Sequence, residues 1–216
     1  MEIKEIRLDK ALPAVFKGEE RSKSDVWLTD LVLQKGKHYI IAAESGTGKS
    51  SMCAYIYGAR KDYIGNIFFN GINIRTLKIP EWQGLRRVSI AYLPQELALF
   101  PELTAMENIV LKNNLTSHFS VEKINSLFSR LGIEDRKDFP VGKMSIGQQQ
   151  RVAIIRTVCQ PFDFIFLDEP VSHLDEQNNR IVASIVEEEA AARGAAIIST
   201  SVGNHLLLSG AETLYL

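Results

Sequence analysis

The sequence predicts an α/β fold in which a mainly parallel sheet carries an inserted helical subdomain. Short apolar runs typical of buried strands alternate with helical patterns near both ends of the 216-residue chain. Between them, residues 104–137 have apolar side chains at helical spacing and no strand pattern. We therefore expect a single domain over residues 1–216, with a core of about 1–95 and 158–216 and a helical subdomain of about 96–157.

In the N-terminal part, the patterns predict an edge strand, a polar turn at 17–25, further strands and a helix beginning at Lys49. The predicted strands are 3–8, 26–33, 38–43, 67–69 and 88–93. The segment 38–43 is almost continuously apolar, which indicates a strand buried on both faces. Asn70-Gly71 predicts a tight turn after the fourth of these strands.

In the C-terminal part, helices are predicted from about 147 to 158 and from about 176 to 192. Strands are predicted at 164–167, 195–199 and 214–216. The helical insert between the two parts of the core has its apolar residues at Ile124, Leu127, Phe128 and Leu131.

The composition is that of an ordinary packed protein, with 45% hydrophobic and 24% charged residues. A net charge of −1 provides no general attraction to nucleic acid, so no nucleic-acid partner is expected. No apolar run approaches the roughly 18 residues of a transmembrane helix, and the charged N-terminus has no signal-peptide core. Cys53 and Cys159 lie in apolar helical patterns, which predicts reduced, buried thiols and a cytosolic location.

A glycine-containing loop lies between the third predicted strand and the first helix: Ala43-Glu44-Ser45-Gly46-Thr47-Gly48-Lys49-Ser50. It matches the phosphate-binding pattern G-x-x-x-x-G-K-[ST] except that Ala43 replaces the first glycine. The two remaining glycines let backbone N–H groups converge, and the helix adds its positive end. Lys49 provides a charge for the β- and γ-phosphates, and Ser50 provides a hydroxyl for Mg²⁺. The motif predicts nucleotide binding.

Two carboxylates, Asp168 and Glu169, follow the apolar run 164–167. A buried strand can present carboxylates only at its end, where the sheet opens toward bound phosphate. Asp168 is predicted to hold Mg²⁺, and Glu169 to act as the general base that polarises the attacking water. Acidic residues before Pro170 also suit the start of a helix, which is the simpler alternative.

Further motifs resemble those of ATP-binding-cassette (ABC) ATPases, in the order found in that family. They are Tyr92-Leu93-Pro94-Gln95 (similar to the Q-loop), 99–109 (similar to the opening of the helical subdomain), Met144-Ser145-Ile146-Gly147-Gln148-Gln149-Gln150-Arg151 (similar to the signature) and Ser172-His173-Leu174-Asp175 (similar to the D-loop). The resemblance covers nearly the whole chain. It implies a P-loop NTPase core with N-terminal antiparallel strands, acting as a dimer that sandwiches two ATP molecules with Mg²⁺.

The resemblance also assigns roles to individual residues. ATP in the same chain would contact Glu44, Ser45, Gly46, Thr47, Gly48, Lys49, Ser50, Ser51 and, as the adenine platform, Phe16, with Trp27 as second candidate. ATP of the other subunit would contact Ser145, Ile146, Gly147 and Gln148, and Asp175 would line the dimer seam. Metal binding would involve Ser50, Gln95 and Asp168, and catalysis Glu169, Gln95 and Ser201. Simpler structural roles remain open for Ser145 and Asp175 as helix caps and for Gln95 as a loop amide.

The chain departs from the family pattern at several positions. Ala43 is costly only if the loop needs a positive φ there. In the signature, Met144 and Ile146 replace leucine and glycine, and Ile146 either weakens the sandwich or points away from it. Ser201 aligns with the histidine that the family uses to contact the γ-phosphate, and His205 lies one helical turn too far along unless the loop is rearranged. Because serine cannot carry a charge, we expect slow hydrolysis.

The resemblance implies the ATPase subunit of a membrane transporter or a related membrane-associated complex. Its transmembrane partner would be a separate chain that sets the cargo, and the subunit would lie at the cytoplasmic face of the cell membrane. ATP-driven closure would act on the partner through a groove near Gln95 and residues 96–101. The alternative is a soluble, slowly hydrolysing nucleotide switch that acts on a protein partner and transports nothing, which Ser201 favours.

Overall fold

The computed structural model describes residues 1–18 and 24–216, so part of the predicted turn at 17–25 lies outside the described residues. The strands are β1 (Glu5–Pro13), β2 (Asp30–Gln34), β3 (His38–Ala42), β4 (Tyr63–Phe69), β5 (Ile72–Asn73), β6 (Ile90–Leu93), β7 (Phe164–Asp168), β8 (Ala196–Ser201) and β9 (Glu212–Tyr215). The helices are α1 (Lys49–Ile56), α2 (Ile79–Val88), α3 (Ala105–Asn113), α4 (Val121–Arg130), α5 (Ile146–Val158) and α6 (Glu176–Ala191).

The core is a five-stranded sheet in the order β6-β7-β8-β3-β9, in which every neighbouring pair is parallel. All five residues of β7 are buried, which explains why this central strand is an uninterrupted apolar run up to Asp168. Because the strands are parallel, their carboxyl ends share one edge of the sheet. The predicted α/β class with a mainly parallel sheet is confirmed.

A second, antiparallel sheet has the order β2-β1-β4-β5 and contains the N-terminal strands that the resemblance implies. The predicted turn at Asn70 and Gly71 joins β4 to β5, with φ values of 48° and 80°. These left-handed values are those that a two-residue hairpin requires. At Gly65 in β4, a Cβ atom would lie 2.2 Å from the carbonyl oxygen of Lys10, so only glycine fits beside the irregularity in β1.

Side chains on the two faces of the parallel sheet pack into two different hydrophobic clusters. In β7, Phe164 and Phe166 pack with the antiparallel sheet, whereas Ile165 and Leu167 pack with the helical segment. The helical side includes the predicted apolar residues Ile124, Leu127, Phe128 and Leu131, all of which are buried. The helical segment therefore packs in the same hydrophobic cluster as one face of the sheet. That residues 96–157 form a subdomain separate from the sheet stays a proposal.

Several elements differ from the sequence-based expectations. Helix α2 was not predicted, although its buried residues Trp82 and Leu85 lie three residues apart, at helical spacing. It extends through Val88, so the predicted strand at 88–93 begins only at residue 90. The strand predicted at 26–33 begins at Asp30, because Leu28 takes a φ of 62° that an extended strand cannot contain.

Among the described residues, none of the helices combines the length and apolar character needed to cross a bilayer. Cys53 and Cys159 are both buried free thiols, as predicted. Burial raises the pKa of both thiols above their ordinary value. These cysteines are therefore neutral parts of the core at physiological pH.

Candidate nucleotide-binding site

The residues predicted to bind phosphate and metal and to catalyse hydrolysis converge at the carboxyl edge of the parallel sheet. Gln95 follows β6, Asp168 and Glu169 end β7, Ser201 ends β8, and the phosphate-binding loop follows β3. Since β7 and β8 lie between β6 and β3, the two carboxylates are flanked by Gln95 on one side and the loop on the other. Segments more than 100 residues apart in the chain are thus brought together by the strand order alone.

The loop between β3 and α1 has the curled backbone that its glycines predict. Gly46 and Gly48 have φ values of 81° and 100°, and Gly48 is the N-cap of α1. A Cβ atom at Gly48 would lie 3.2 Å from the rings of both Phe16 and Trp27, so these aromatic residues cover the loop. Ala43 is not among the residues with positive φ, so its replacement of the family's glycine introduces no backbone strain.

Lys49 is buried beneath this loop. Its Nζ atom donates hydrogen bonds to the carbonyl oxygens of Glu44, at 2.7 Å, and Ala43, at 3.2 Å. Burial lowers the pKa of Lys49, and the charges of Glu169 and Asp168 partly offset that effect. A cation held by two carbonyl dipoles near two carboxylates is suited to exchange those carbonyls for phosphate oxygens.

The carboxylate of Asp168 is buried at the end of β7. Its Oδ1 accepts a hydrogen bond from Thr200 Oγ1 at 2.5 Å, whereas Oδ2 has no hydrogen-bond partner among the described residues. The Thr200 hydroxyl also accepts from the backbone N–H of Glu169 at 3.2 Å. Glu169 has a φ of 51°, a left-handed value that is unusual for a side chain of this size. Backbone strain of this kind at a carboxylate is typical of functional sites.

This arrangement fits a Mg²⁺ ion. An unsatisfied buried oxygen of Asp168, the Ser50 hydroxyl and the Gln95 amide offer the oxygen ligands that Mg²⁺ prefers. Within the described ranges, no group of three or more His, Cys, Asp and Glu side chains could hold a metal ion. The ion would therefore depend on phosphate oxygens and water for its other ligands, which is usual for Mg²⁺ with a nucleotide.

A cavity of about 220 Å³ joins the loop to the carboxylate of Glu169. It is lined by Phe16, Ser45, Gly46, Gly48, Lys49, Ser50, Ser51, Gln95 and Glu169, all of them sequence-predicted site residues. The remaining predicted loop residues stabilise it instead, since Thr47 Oγ1 donates to the carbonyl oxygen of Glu44 at 2.9 Å. Trp27 is buried and its indole N–H donates to the carbonyl oxygen of Thr47 at 3.0 Å, so of the two aromatic candidates only Phe16 faces the cavity.

The signature segment forms the N-terminus of α5. Ser145 is the N-cap: its Oγ accepts from the backbone N–H of Gln148 at 3.3 Å, and the Gln148 side chain accepts from the Ser145 N–H at 3.0 Å. Ile146 is 48% exposed, so its side chain lies on the surface. A Cβ atom at Gly147 would lie 3.1 Å from the carbonyl oxygen of His173, so the helix packs closely on the following loop. Ser145 therefore has the capping role in the single chain.

Gln150 connects the signature helix to the loop that follows β7, a contact that was not identified from the sequence. Its buried amide donates to the carbonyl oxygen of Glu169 at 3.0 Å and accepts from the backbone N–H of His173 at 3.2 Å. A glutamine inside a helical pattern gives no sign of such a contact. Asp175, the predicted seam residue, caps α6 by accepting from the backbone N–H of Asn178 at 2.8 Å, and this hydrogen bond lowers its pKa.

The loop after β8 turns back on itself, and this turn brings the His205 side chain next to Ser201. Gly203 has a φ of 80°, and the chain turns so that His205 Nδ1 contacts the hydroxyl of Ser201. Asn179 on α6 holds the turn, since it donates to the carbonyl oxygen of His205 at 2.8 Å and accepts from the N–H of Leu207 at 3.1 Å. The loop rearrangement on which the expectation for His205 depended therefore places the imidazole against Ser201, and a role of His205 toward the γ-phosphate stays a prediction.

Comparisons with known proteins agree with this geometry. The family model described as ABC transporter matches residues 29–172. The lipoprotein-releasing system ATP-binding protein LolD of Nitrobacter winogradskyi is 31% identical over 176 residues, covering 80% of this chain and 76% of LolD. The ribose import ATP-binding protein RbsA of Streptococcus agalactiae is 29% identical over 170 residues, covering 74% of this chain and 34% of RbsA. The chain thus spans about a third of the length of such ribose import proteins.

Among solved structures, the dimeric structure of MJ0796, a bacterial ABC transporter cassette, matches with a TM-score of 0.76 and 25% identity. The match covers 91% of this chain and 87% of the MJ0796 chain. An ATP-bound bacterial Atm1-family ABC exporter matches with a TM-score of 0.71, 21% identity and coverage of 93% of this chain and 34% of the exporter chain. At 21% identity, the likeness to the exporter shows a shared fold alone.

Proposed function

The chain belongs to the ABC transporter family of ATPases, and we propose that it is the subunit of a membrane-associated complex that binds and hydrolyses Mg·ATP to drive a separate membrane protein. The observation that carries the proposal is the single cavity lined by Lys49, Ser50, Gln95 and Glu169. It combines a phosphate-binding cation, a metal-binding hydroxyl and a carboxylate base at one edge of the sheet.

Within the cavity, each residue has a role that follows from its position. Backbone N–H groups of the loop and the Lys49 ammonium bind the β- and γ-phosphates. Ser50, Gln95 and Asp168 would hold Mg²⁺, which would supply positive charge to the same phosphates. Glu169 accepts the proton of the attacking water, because its carboxylate lines the cavity beside Lys49. Phe16 stacks on the adenine at the mouth of the cavity.

We further propose that the active form is a dimer of ATP-binding subunits. The signature residues Ser145 and Ile146 are exposed, and they open a helix whose N-terminus attracts phosphate. A second subunit would bring this helix onto the ATP bound at Lys49. Gln150 would then link the bound signature helix to the backbone of Glu169, so that dimer closure positions the base.

The route to the membrane partner begins at Gln95. Leu97 and Ala98 have φ values of 62° and 49°, so this segment stores backbone strain between the ATP cavity and α3. Such strain is typical of segments that change conformation with ligand binding. We propose that ATP binding at Gln95 moves residues 96–101 and the partner that contacts them, with the subunit lying at the inner face of the cell membrane.

Co-purification tests the proposed function. The affinity-tagged chain is extracted from its own cells in mild detergent, and we expect a membrane-spanning polypeptide in stoichiometric amount. Vesicles that contain this polypeptide and the chain should hydrolyse ATP faster than the chain alone. An ATP-binding dimer that retains no membrane polypeptide would contradict the transport proposal and support a switch that acts on another kind of protein.

A soluble nucleotide switch is the second candidate function. It is favoured by Ser201, because a hydroxyl in place of the family's histidine supplies no charge at the carboxyl edge of the sheet. We expect slow ATP turnover, in which the Ser201–His205 contact orients the groups beside Glu169. Ser201→Ala should then lower kcat about tenfold and leave KM for ATP within about twofold, since the change affects chemistry and not binding. The exposed Ser209→Ala is the matched control. Unchanged turnover in Ser201→Ala, at rates usual for ABC ATPases, would refute both the slow-hydrolysis hypothesis and the role of the contact.

A further inference from the structure

A second cavity, of about 220 Å³, lies where α1 and α2 pack with the antiparallel sheet. We call it the aromatic cavity and define it by three aromatic residues and three cations that line it: Tyr55, Tyr63, Trp82, Arg60, Lys61 and Arg75. Of these described residues, none lines the ATP cavity at Lys49. The proposed function uses none of their side chains.

The aromatic side chains form the floor of the cavity. Tyr55 and Tyr63 are buried, with ring centroids 5.0 Å apart and ring planes inclined by 46°. Trp82 is 8% exposed and lies against the backbone of Gly58, where a Cβ atom would come within 2.6 Å of the indole ring. Burial raises the pKa of both tyrosines, so the phenols stay neutral and do not repel an anion. Together these rings offer a surface on which a planar ring can pack.

The three cations lie at the rim of the cavity and are exposed. The Arg75 guanidinium lies 4.1 Å from the centroid of the Tyr63 ring and donates to the carbonyl oxygen of Tyr63 at 2.6 Å, so its position is fixed. Arg60 is already paired with Asp62, to which its Nε donates at 3.0 Å. In the part of the chain that the structure describes, Lys61 and Arg75 form no ion pair with a carboxylate. Two cations are therefore left for a ligand.

Charge and volume together indicate the kind of ligand. No Asp or Glu among the described residues lines the cavity, so an aromatic floor is combined with a positive rim. This combination suits a planar ring that carries an anionic group. Ligand cavities usually measure about 300–1,000 Å³, so about 220 Å³ suits a single ring with a small head group and not a nucleotide. A carboxylate is small, and its two oxygens match the planar fork of the Arg75 guanidinium.

We propose that the aromatic cavity is a binding site for a small aromatic carboxylate. The ring of the ligand packs against Tyr55, Tyr63 and Trp82, and its carboxylate accepts hydrogen bonds from Arg75 and Lys61. Arg75 provides donors in a fixed position, whereas Lys61 adds a charge on a flexible side chain. The proposed site is separate from the ATP cavity and independent of the proposed function.

The two tryptophans of the chain allow a test that distinguishes the two cavities. Trp82 lines the aromatic cavity, whereas the indole N–H of Trp27 donates to the carbonyl oxygen of Thr47 in the phosphate-binding loop. In proton–nitrogen NMR spectra of the full chain, we expect benzoate to shift the indole signal of Trp82 with a Kd of about 1 mM or tighter. The signal of Trp27 should stay unchanged, and Trp82→Phe assigns the two signals.

Matched ligands separate the effect of the charge from that of the ring. Benzamide has nearly the shape of benzoate but no charge, and we expect it to bind at least about tenfold more weakly. Cyclohexanecarboxylate keeps the charge but has no planar ring, and it should bind about fivefold more weakly than benzoate. Equal affinities for benzoate and benzamide would overturn the proposal, as would a Trp82 signal that does not move at about 10 mM benzoate.

Variants of the two cations identify the residues that bind the carboxylate. Lys61→Met and Arg75→Met should each weaken benzoate binding about fivefold, and the double variant should bind benzoate no better than benzamide. The exposed Lys4→Met is the matched control and should bind as wild type. Thermal unfolding verifies the fold of each variant. A double variant that binds benzoate as tightly as wild type would refute the proposal, and so would a benzoate shift confined to Trp27, which would place the anion in the ATP cavity. A failure of Mg·ATP to bind the wild-type chain would count against the proposed function alone.

Discussion

Lys49→Met is expected to abolish ATPase activity and to weaken ATP binding more than any other single substitution in the chain. Methionine keeps the length of the side chain but removes its charge. In the wild-type chain the ammonium lies near Glu169 and Asp168, whose negative charges favour the protonated form of Lys49 and partly offset the lowering of its pKa by burial. Without that ammonium, the phosphates of ATP would enter a site with two carboxylates and no buried cation to balance them.

We expect a loss of at least about 100-fold in kcat, because one preorganised electrostatic group is removed from the reacting phosphate. Calorimetry should show ATP affinity reduced by about tenfold or more. Lys4→Met, which removes an exposed lysine far from the cavity, is the control and should behave as wild type. If Lys49→Met bound and hydrolysed ATP normally, the cavity at the sheet edge would not be the nucleotide site.

Glu169→Gln is expected to separate binding from hydrolysis. The amide has the shape of the carboxylate but cannot accept a proton, so kcat should fall by about 100-fold or more while ATP still binds. With hydrolysis blocked, the ATP-bound dimer should accumulate. In size-exclusion chromatography with light scattering, the mass should rise with Mg·ATP from 24.2 kDa to twice that value.

Two controls make this result specific. Glu176→Gln changes an exposed acid on α6 and should leave both hydrolysis and mass unchanged. Combining Glu169→Gln with Ser145→Arg places a bulky charge on the signature face and should restore the monomer. A Glu169→Gln chain that hydrolyses ATP at the wild-type rate would exclude Glu169 as the base, and one that binds ATP but remains monomeric would exclude the homodimer.

Most of the fold was predictable because its central elements have strong local patterns. The uninterrupted apolar run of β7 and the glycines before Lys49 are visible in any window of the sequence, and both took the predicted structure. Helix α2 was missed although Trp82 and Leu85 have helical spacing, and Gly84 inside it is a residue of low helix propensity. The start of β2 was predicted wrongly because Leu28 has a left-handed φ, which a leucine in the sequence does not indicate.

The sequence by itself determined which family the chain resembles, and it predicted which residues bind phosphate and which carboxylate acts as base. These features depend on residue type and short spacing, which physical chemistry constrains locally. Only the tertiary structure decided that Gln150 contacts the backbone of Glu169, that His205 turns back onto Ser201 and that Lys112 and Arg156 line one cavity. Such contacts join segments that are distant in the chain or bent by a single glycine, and strand order and side-chain packing bring them together.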